Sequence, residues 1–179
     1  MPTVLAILAE GFEEIEATAP VDLLRRAGAE VTMAALGAGI HVSGRSGMTM
    51  HADTTLEAAK GGTYDCLMLP GGPAVGLLRS DPRVRQLVLA QHSSGRWLAA
   101  ICAAPLVLHD AGLLEGRRYT AHSSTAPELH HILSGEKCVV DGRILTSRGA
   151  GTALEFGLSV IEVLFDARTA LKVAESIGY

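Results

Sequence analysis

Four short apolar runs, each closed by a turn and most of them followed by a helical pattern, constrain this chain more than any other feature. Residues 3–9, 30–36, 66–69 and 97–102 carry almost no charge, as strands do when both faces of their sheet are covered. Helical segments separate them. Glu13 to Arg26 places Ile15, Val21, Leu23 and Leu24 at helical spacing, with Gly28 as the stop and Pro20 expected to kink or restart it. Asp81-Pro82 is an N-cap followed by proline at the first helical position, so a helix is expected to about residue 93, closed by Ser94-Gly95. Repeated βα units of this length predict a doubly wound, mostly parallel sheet in a flavodoxin-like three-layer α/β/α sandwich.

The rest of the chain fits around that frame. Residues 37–52 are punctuated by glycine and read as one or two short strands, and Thr54-x-x-Glu57 is a capping box before a short helix through Lys60. Tyr119-Thr120-Ala121 reads as a short strand, and residues 139–145 as a hairpin turned at Asp141-Gly142. Thr152-x-x-Glu155 caps a helix to about Phe165, and a last helix covers 167–176. Without repeat, linker or low-complexity segment, residues 1–179 are expected to form a single domain.

Composition excludes several function classes. The formal net charge is -4 and no basic run reaches five residues, which argues against a nucleic-acid surface. No apolar stretch is long enough to cross a bilayer, and the first residues lack the positive region of a signal peptide. Three cysteines, at 66, 102 and 138, have no paired spacing, which suggests a reducing, cytoplasmic compartment without disulfides. Glu10-Gly11-Phe12-Glu13-Glu14 stands where a dinucleotide-binding loop would follow the first strand. No Walker-type loop occurs, and His130-His131 with Cys138 does not match a zinc spacing. No cofactor or metal is expected.

Chemistry concentrates where strands end. Cys102 closes Trp97-Leu98-Ala99-Ala100-Ile101 and opens Ala103-Ala104-Pro105-Leu106-Val107-Leu108, a strand-to-helix elbow at a nucleophile. Unpaired N–H groups of a first helical turn favour an anion, so the thiol is expected to be partly or wholly thiolate; a buried structural cysteine is the plain alternative. Glu13 and Glu16 share a helix face while Glu14 points elsewhere, and carboxylates near a helix start are common for stability alone. One aimed inwards beside a thiolate would have its pKa raised and would carry a proton to sulfur or substrate. Gly71-Gly72 permits close backbone approach, and its N–H groups with that of Ala103 would form an oxyanion hole. His122 is a candidate proton carrier.

Taken in order, Glu10-Gly11-Phe12-Glu13-Glu14-Ile15-Glu16, Leu69-Pro70-Gly71-Gly72, Ala100-Ile101-Cys102-Ala103-Ala104-Pro105 and residues 145–152 (Leu-Thr-Ser-Arg-Gly-Ala-Gly-Thr) resemble the DJ-1/ThiJ/PfpI superfamily over nearly the whole chain. The match is nearest the branch holding the parkinsonism-associated protein and its bacterial ThiJ/YajL relatives. The resemblance implies that Cys102 is a nucleophilic, oxidisable thiolate, that Glu16 is protonated and hydrogen-bonded to it, and that His122 is the pocket histidine. It makes Gly72 and Ala103 backbone donors and Glu13 a second pocket carboxylate. It places Arg26 and Arg148, with Gly149 and Ala150, near a homodimer interface and pocket rim. Pro73 and Ala150 depart from the animal proteins and are expected to reshape that rim.

The implied function is a cofactor-independent glyoxalase or deglycase acting on small α-oxoaldehydes or their early glycation adducts. The alternatives are a redox-sensing stress protein or chaperone using the same cysteine and, less favoured, a PfpI-like peptidase or small-molecule amidase.

Overall fold

The apolar runs form the centre of one sheet. In the computed structural model, which describes residues 1–179, β1 (Thr3–Leu8) lies between β2 (Glu30–Ala35) and β6 (Cys66–Leu69), parallel to both. A separate two-stranded ribbon, β3 (His41–Ser43) and β4 (Thr49–His51), forms between β2 and the edge strand β5 (Thr54–Thr55). Beyond β6 come β7 (Trp97–Ile101), β9 (Ile144–Ser147) and β8 (Cys138–Asp141), giving the order β5-β2-β1-β6-β7-β9-β8. Every pairing in this sheet is parallel except the β8–β9 hairpin. The chain builds outwards from β1 in one direction, then returns and builds from β6 in the other. The β1/β6 border is therefore the switch point, where ligands bind in such sheets.

Helices cover the sheet. The helices α1 (Glu14–Arg26), α6 (Ala153–Leu164) and α7 (Ala167–Ser176) pack on one another, as do α3 (Val75–Ser80), α4 (Pro82–Ser93) and α5 (Pro105–Asp110). The short α2 (Leu56–Ala59) follows β5. Leu5, Ile7, Leu24, Met68, Leu98 and Phe156 are fully buried between the layers, each contributing on the order of 2 kcal/mol by leaving water. Asp81 caps α4 by accepting from the Arg83 N–H at 2.9 Å, with Pro82 opening the helix as expected.

Several local expectations need correction. Pro20 does not interrupt α1, which is continuous from Glu14 to Arg26. It sits where α1 crosses α6 at Gly157: a Cβ on that glycine would lie 2.9 Å from Pro20 Cα. Close packing there compensates for the intrahelical bond that proline cannot make.

Tyr119–Ala121 is not a strand. Both edges of β9 are already taken by β7 and β8, so Thr120 bonds instead to the Thr146 hydroxyl (2.9 Å) and the Leu133 carbonyl (3.0 Å). The helix α3 is absent from the sequence reading. The helix after Cys102 starts at Pro105, not at Ala103.

Thr55, not Thr54, caps α2, and the Thr152 hydroxyl bonds Gly149 and Ser147 rather than capping α6. The hairpin turns on Gly142 and Arg143, with positive φ at Gly142 only, the pattern of a type II′ turn. No helix is long and apolar enough to cross a membrane.

Candidate active site

Cys102 stands at the carboxyl end of β7, beside the switch point, and it is the only non-glycine residue with positive φ, at 66°. That left-handed conformation costs about 1–2 kcal/mol for an L-residue. The surroundings enforce it: the Cys102 N–H donates to the Ser147 carbonyl, and the Cys102 carbonyl accepts from the His122 N–H, both at 2.9 Å. The second bond also fixes the chain that carries His122.

Glu16, in the first turn of α1, is 1 % exposed. Its Oε2 accepts from the Gly71 N–H at 2.9 Å, and its carboxyl is in hydrogen-bonding reach of the Cys102 sulfur. Burial pushes its pKa up to about 7, with a smaller push from the Glu13 charge, against the pull of Cys102 and the Gly71 and Ala150 N–H groups. A carboxyl of this kind is substantially protonated at neutral pH.

The sulfur stands between opposing influences, with α5 beginning three residues later. Burial, followed by the Glu16 charge and hydrogen bond, pushes the Cys102 thiol up to about 12, while the Gly72 and Ala103 N–H groups pull it down. A proton on Glu16 removes the repulsion and turns the carboxyl into a donor to sulfur. The two groups therefore titrate as a pair that holds one negative charge readily and two with difficulty.

The glycines are required by space. A Cβ on Gly71 would lie 2.6 Å from both Cys102 Cβ and Glu16 Oε2. Gly72, at φ +87°, would meet the Glu13 nitrogen and the Gly11 carbonyl oxygen at 2.7 Å. Together these glycines let β1, β6 and β7 end against one another with the sulfur between them.

Glu13 reaches the same rim, but its Oε2 accepts from Arg45 Nη1 at 3.1 Å. Arg45, in the turn between β3 and β4, was not anticipated; an arginine set in the glycine-bearing stretch 44–47 is the signal that could have found it. Glu14 is also more than a helix-start carboxylate. It is 3 % exposed and its Oε1 accepts from the Ser46 N–H at 2.8 Å, so it anchors the turn that carries Arg45.

On the opposite side, a cavity of about 480 Å3 is lined by His122, Ser134, Arg148, Gly149, Ala150 and Thr152, among others. Cys102 and Glu16 lie behind its wall at Gly149. A Cβ on that glycine would meet His122 Cδ2 at 3.4 Å, Glu16 Oε1 at 3.8 Å and Cys102 Sγ at 3.9 Å. The structure thus gathers Cys102, Glu16, His122, Gly71, Gly72, Ala103, Gly149 and Ala150 around one point, with Glu13 at the rim. Arg148 lines the outer cavity and donates to the Ser134 carbonyl at 3.0 Å. Arg26 stands apart at the far end of α1, paired with Asp22 at 2.7 Å. No three His, Cys, Asp or Glu side chains converge as metal ligands.

The pattern of the DJ-1/PfpI family matches residues 2–163. This chain belongs to that family. It is 39 % identical over 177 residues to protein DJ-1 homolog A of Arabidopsis thaliana, covering 96 % of this chain and 45 % of the plant protein. DJ-1 homolog B of that plant is likewise spanned over 41 % of its length, so the chain covers less than half of either plant relative. A glutathione-independent glyoxalase of Caenorhabditis elegans, DJR-1.2, is 33 % identical over 87 % of this chain and 84 % of the worm protein. Among solved structures, oxidised DJ-1 of Toxoplasma gondii superposes with a TM-score of 0.96 at 34 % identity, covering 100 % of this chain and 99 % of that one. The three-layer flavodoxin-like sandwich is thereby shown.

Proposed function

We propose that this DJ-1/PfpI-family chain is a cofactor-independent glyoxalase- or deglycase-type enzyme for α-oxoaldehydes such as methylglyoxal, or for their early adducts. One observation carries the reading: a cysteine held at φ 66° sits where the Gly72 and Ala103 N–H groups favour its anion, and beside it a buried carboxyl is pushed up to about 7. The similarity to a worm protein named as a glutathione-independent glyoxalase supports it.

In the proposed reaction the Cys102 sulfur adds to the aldehyde carbon, and its proton passes by way of Glu16 to the new alkoxide oxygen. The Gly72 and Ala103 N–H groups hold the developing negative charge. Glu16 then removes the proton from that carbon and returns one to the neighbouring carbon through an enediol. The first carbon is oxidised to a thioester and the second is reduced to an alcohol. Water cleaves the C–S bond, releasing the hydroxyacid and the thiol. Atoms and electrons balance with water as the only co-reactant.

The test is lactate formation from methylglyoxal without glutathione. Wild-type turnover should be lost in Cys102→Ala and reduced at least 100-fold in Glu16→Gln; full turnover in Cys102→Ala would end the proposal.

A second reading, oxidation sensing, draws on the similarity to a DJ-1 structure solved in oxidised form. The same N–H donors and a protonated Glu16 would stabilise a sulfinate on Cys102. Peroxide-driven oxidation confined to Cys102 in a protein without aldehyde turnover would favour it. In either case we place Arg26, with the half-exposed Ile15 and Met48, near the homodimer contact that family membership suggests.

A further inference from the structure

We propose that Ser124, through its backbone N–H, is a positioning residue that fixes the tautomer of His122, so that Nε2 carries the proton. The catalytic meaning of this rests on the glyoxalase-type reading; its geometry does not.

His122 is the N-cap of a one-turn 3-10 helix, Ser123–Thr125, and its Nδ1 lies 3.2 Å from the Ser124 backbone nitrogen and 2.9 Å from the Ser124 hydroxyl oxygen. A hydroxyl donates or accepts, so that contact alone leaves the tautomer open. A backbone amide can only donate. Nδ1 must therefore be the bare nitrogen, and the hydroxyl adapts to the state the amide sets. Neutral imidazole has one N–H, which then sits on Nε2.

The ring's other edge gives this a chemical consequence. Cδ2, bonded to Nε2, is the ring atom nearest the point at Gly149 where Glu16 Oε1 and Cys102 Sγ also converge. The backbone that carries the ring is tied to the Cys102 carbonyl through the His122 N–H (2.9 Å) and to Thr125, whose hydroxyl donates to the His122 carbonyl at 2.7 Å. A bare Nδ1 held by Ser124 and an N–H on the Cδ2–Nε2 edge make His122 a hydrogen-bond donor to a substrate oxygen rather than a base. Proton transfer between the substrate carbons then falls to Glu16 alone.

The test uses protein labelled with 15N in its histidine rings, with the His122 signals assigned through His122→Gln. At about pH 8, where imidazole is ordinarily neutral, wild-type His122 should show a bare Nδ1 and a protonated Nε2. Ser124→Ala keeps the backbone donor and removes the hydroxyl, and Ser124 is exposed, so the fold is retained. The hydroxyl serves either tautomer, so Ser124→Ala should keep the wild-type spectrum, whereas Ser124→Pro, which removes the amide donor, should raise the share of the Nδ1–H tautomer about 3- to 10-fold. A protonated Nδ1 in the wild type, or a folded Ser124→Pro protein with the wild-type spectrum, would overturn the inference whether or not the protein turns over aldehyde.

With methylglyoxal, kcat in Ser124→Pro should fall in proportion to the loss of the Nε2–H form, with KM little changed. A shifted tautomer with unchanged kcat would refute the catalytic part. Absence of wild-type turnover would refute the proposed function and leave the spectra to judge the tautomer.

Discussion

Glu16 offers the sharpest quantitative test, because its ionisation leaves a signature in stability that needs no substrate. Its folded-state pKa is raised from 4.5 to about 7, burial being the main cause. A carboxyl with a raised folded pKa contributes stability that is fully present below the unfolded value. That contribution is lost as pH rises through the window from 4.5 to about 7. A rise of this size corresponds to about 3 kcal/mol, most of which falls between about pH 5 and 7.5.

Glu16→Gln removes the titration and keeps the shape. Its amide oxygen accepts from the Gly71 N–H, and its NH2 donates towards sulfur. The free energy of urea unfolding, measured under reducing conditions for both proteins, should give a wild-type minus variant difference that falls by about 2–3 kcal/mol across that range. For a domain of this size this is a Tm change of about 5–10 °C. Titrating groups away from the Cys102–Glu16 pair cancel in the difference. A difference that stays flat with pH would mean that Glu16 ionises in the folded protein as it does in the unfolded one. The desolvation argument, and with it the one-charge account of the Cys102–Glu16 pair, would then be wrong.

Two further outcomes follow from packing and burial. Gly71→Ala puts a methyl 2.6 Å from both Cys102 Cβ and Glu16 Oε2; unfolding should be easier by about 1–3 kcal/mol and aldehyde turnover should be lost. A variant that keeps full activity would show that the two side chains need not lie as described. Alkylation of the folded protein should proceed at Cys102 and Cys138, with Cys66 silent until unfolding, because Cys66 is fully buried and burial drives its thiol well up. Mass spectrometry with timed quenching reads the order, and early labelling of Cys66 would contradict it.

What the sequence disclosed and what it hid divide along a physical line. The strands β1, β2, β6 and β7 were legible because a strand covered on both faces writes its burial into consecutive residues. The positions of Cys102, Gly71, Gly72 and Glu16 were legible because a doubly wound sheet places strand ends together whatever else the chain does. Two of the features that failed depend on partners distant in the chain. Glu14 is buried because a turn 32 residues away donates to it. Tyr119–Ala121 reads as a strand in isolation, but only Tyr119 pairs, in a single parallel bridge to Ile132.

The sulfur's ionisation is the most instructive part. Helix-end donors and an inward carboxyl are both legible in the sequence, and the fold adds that the carboxyl, contributed by α1, is held by a Gly71 N–H 55 residues further on. A helix end would have favoured the thiolate at any protonation state of its neighbours. A buried carboxyl favours it only while protonated. That makes nucleophilicity conditional on a proton the reaction itself moves: each time Glu16 gives up its proton, sulfur is disfavoured as an anion and favoured as a bonded group, and each time the proton returns, sulfur can leave. The same coupling that raises both groups in the resting protein would therefore help to alternate C–S bond formation and cleavage during turnover.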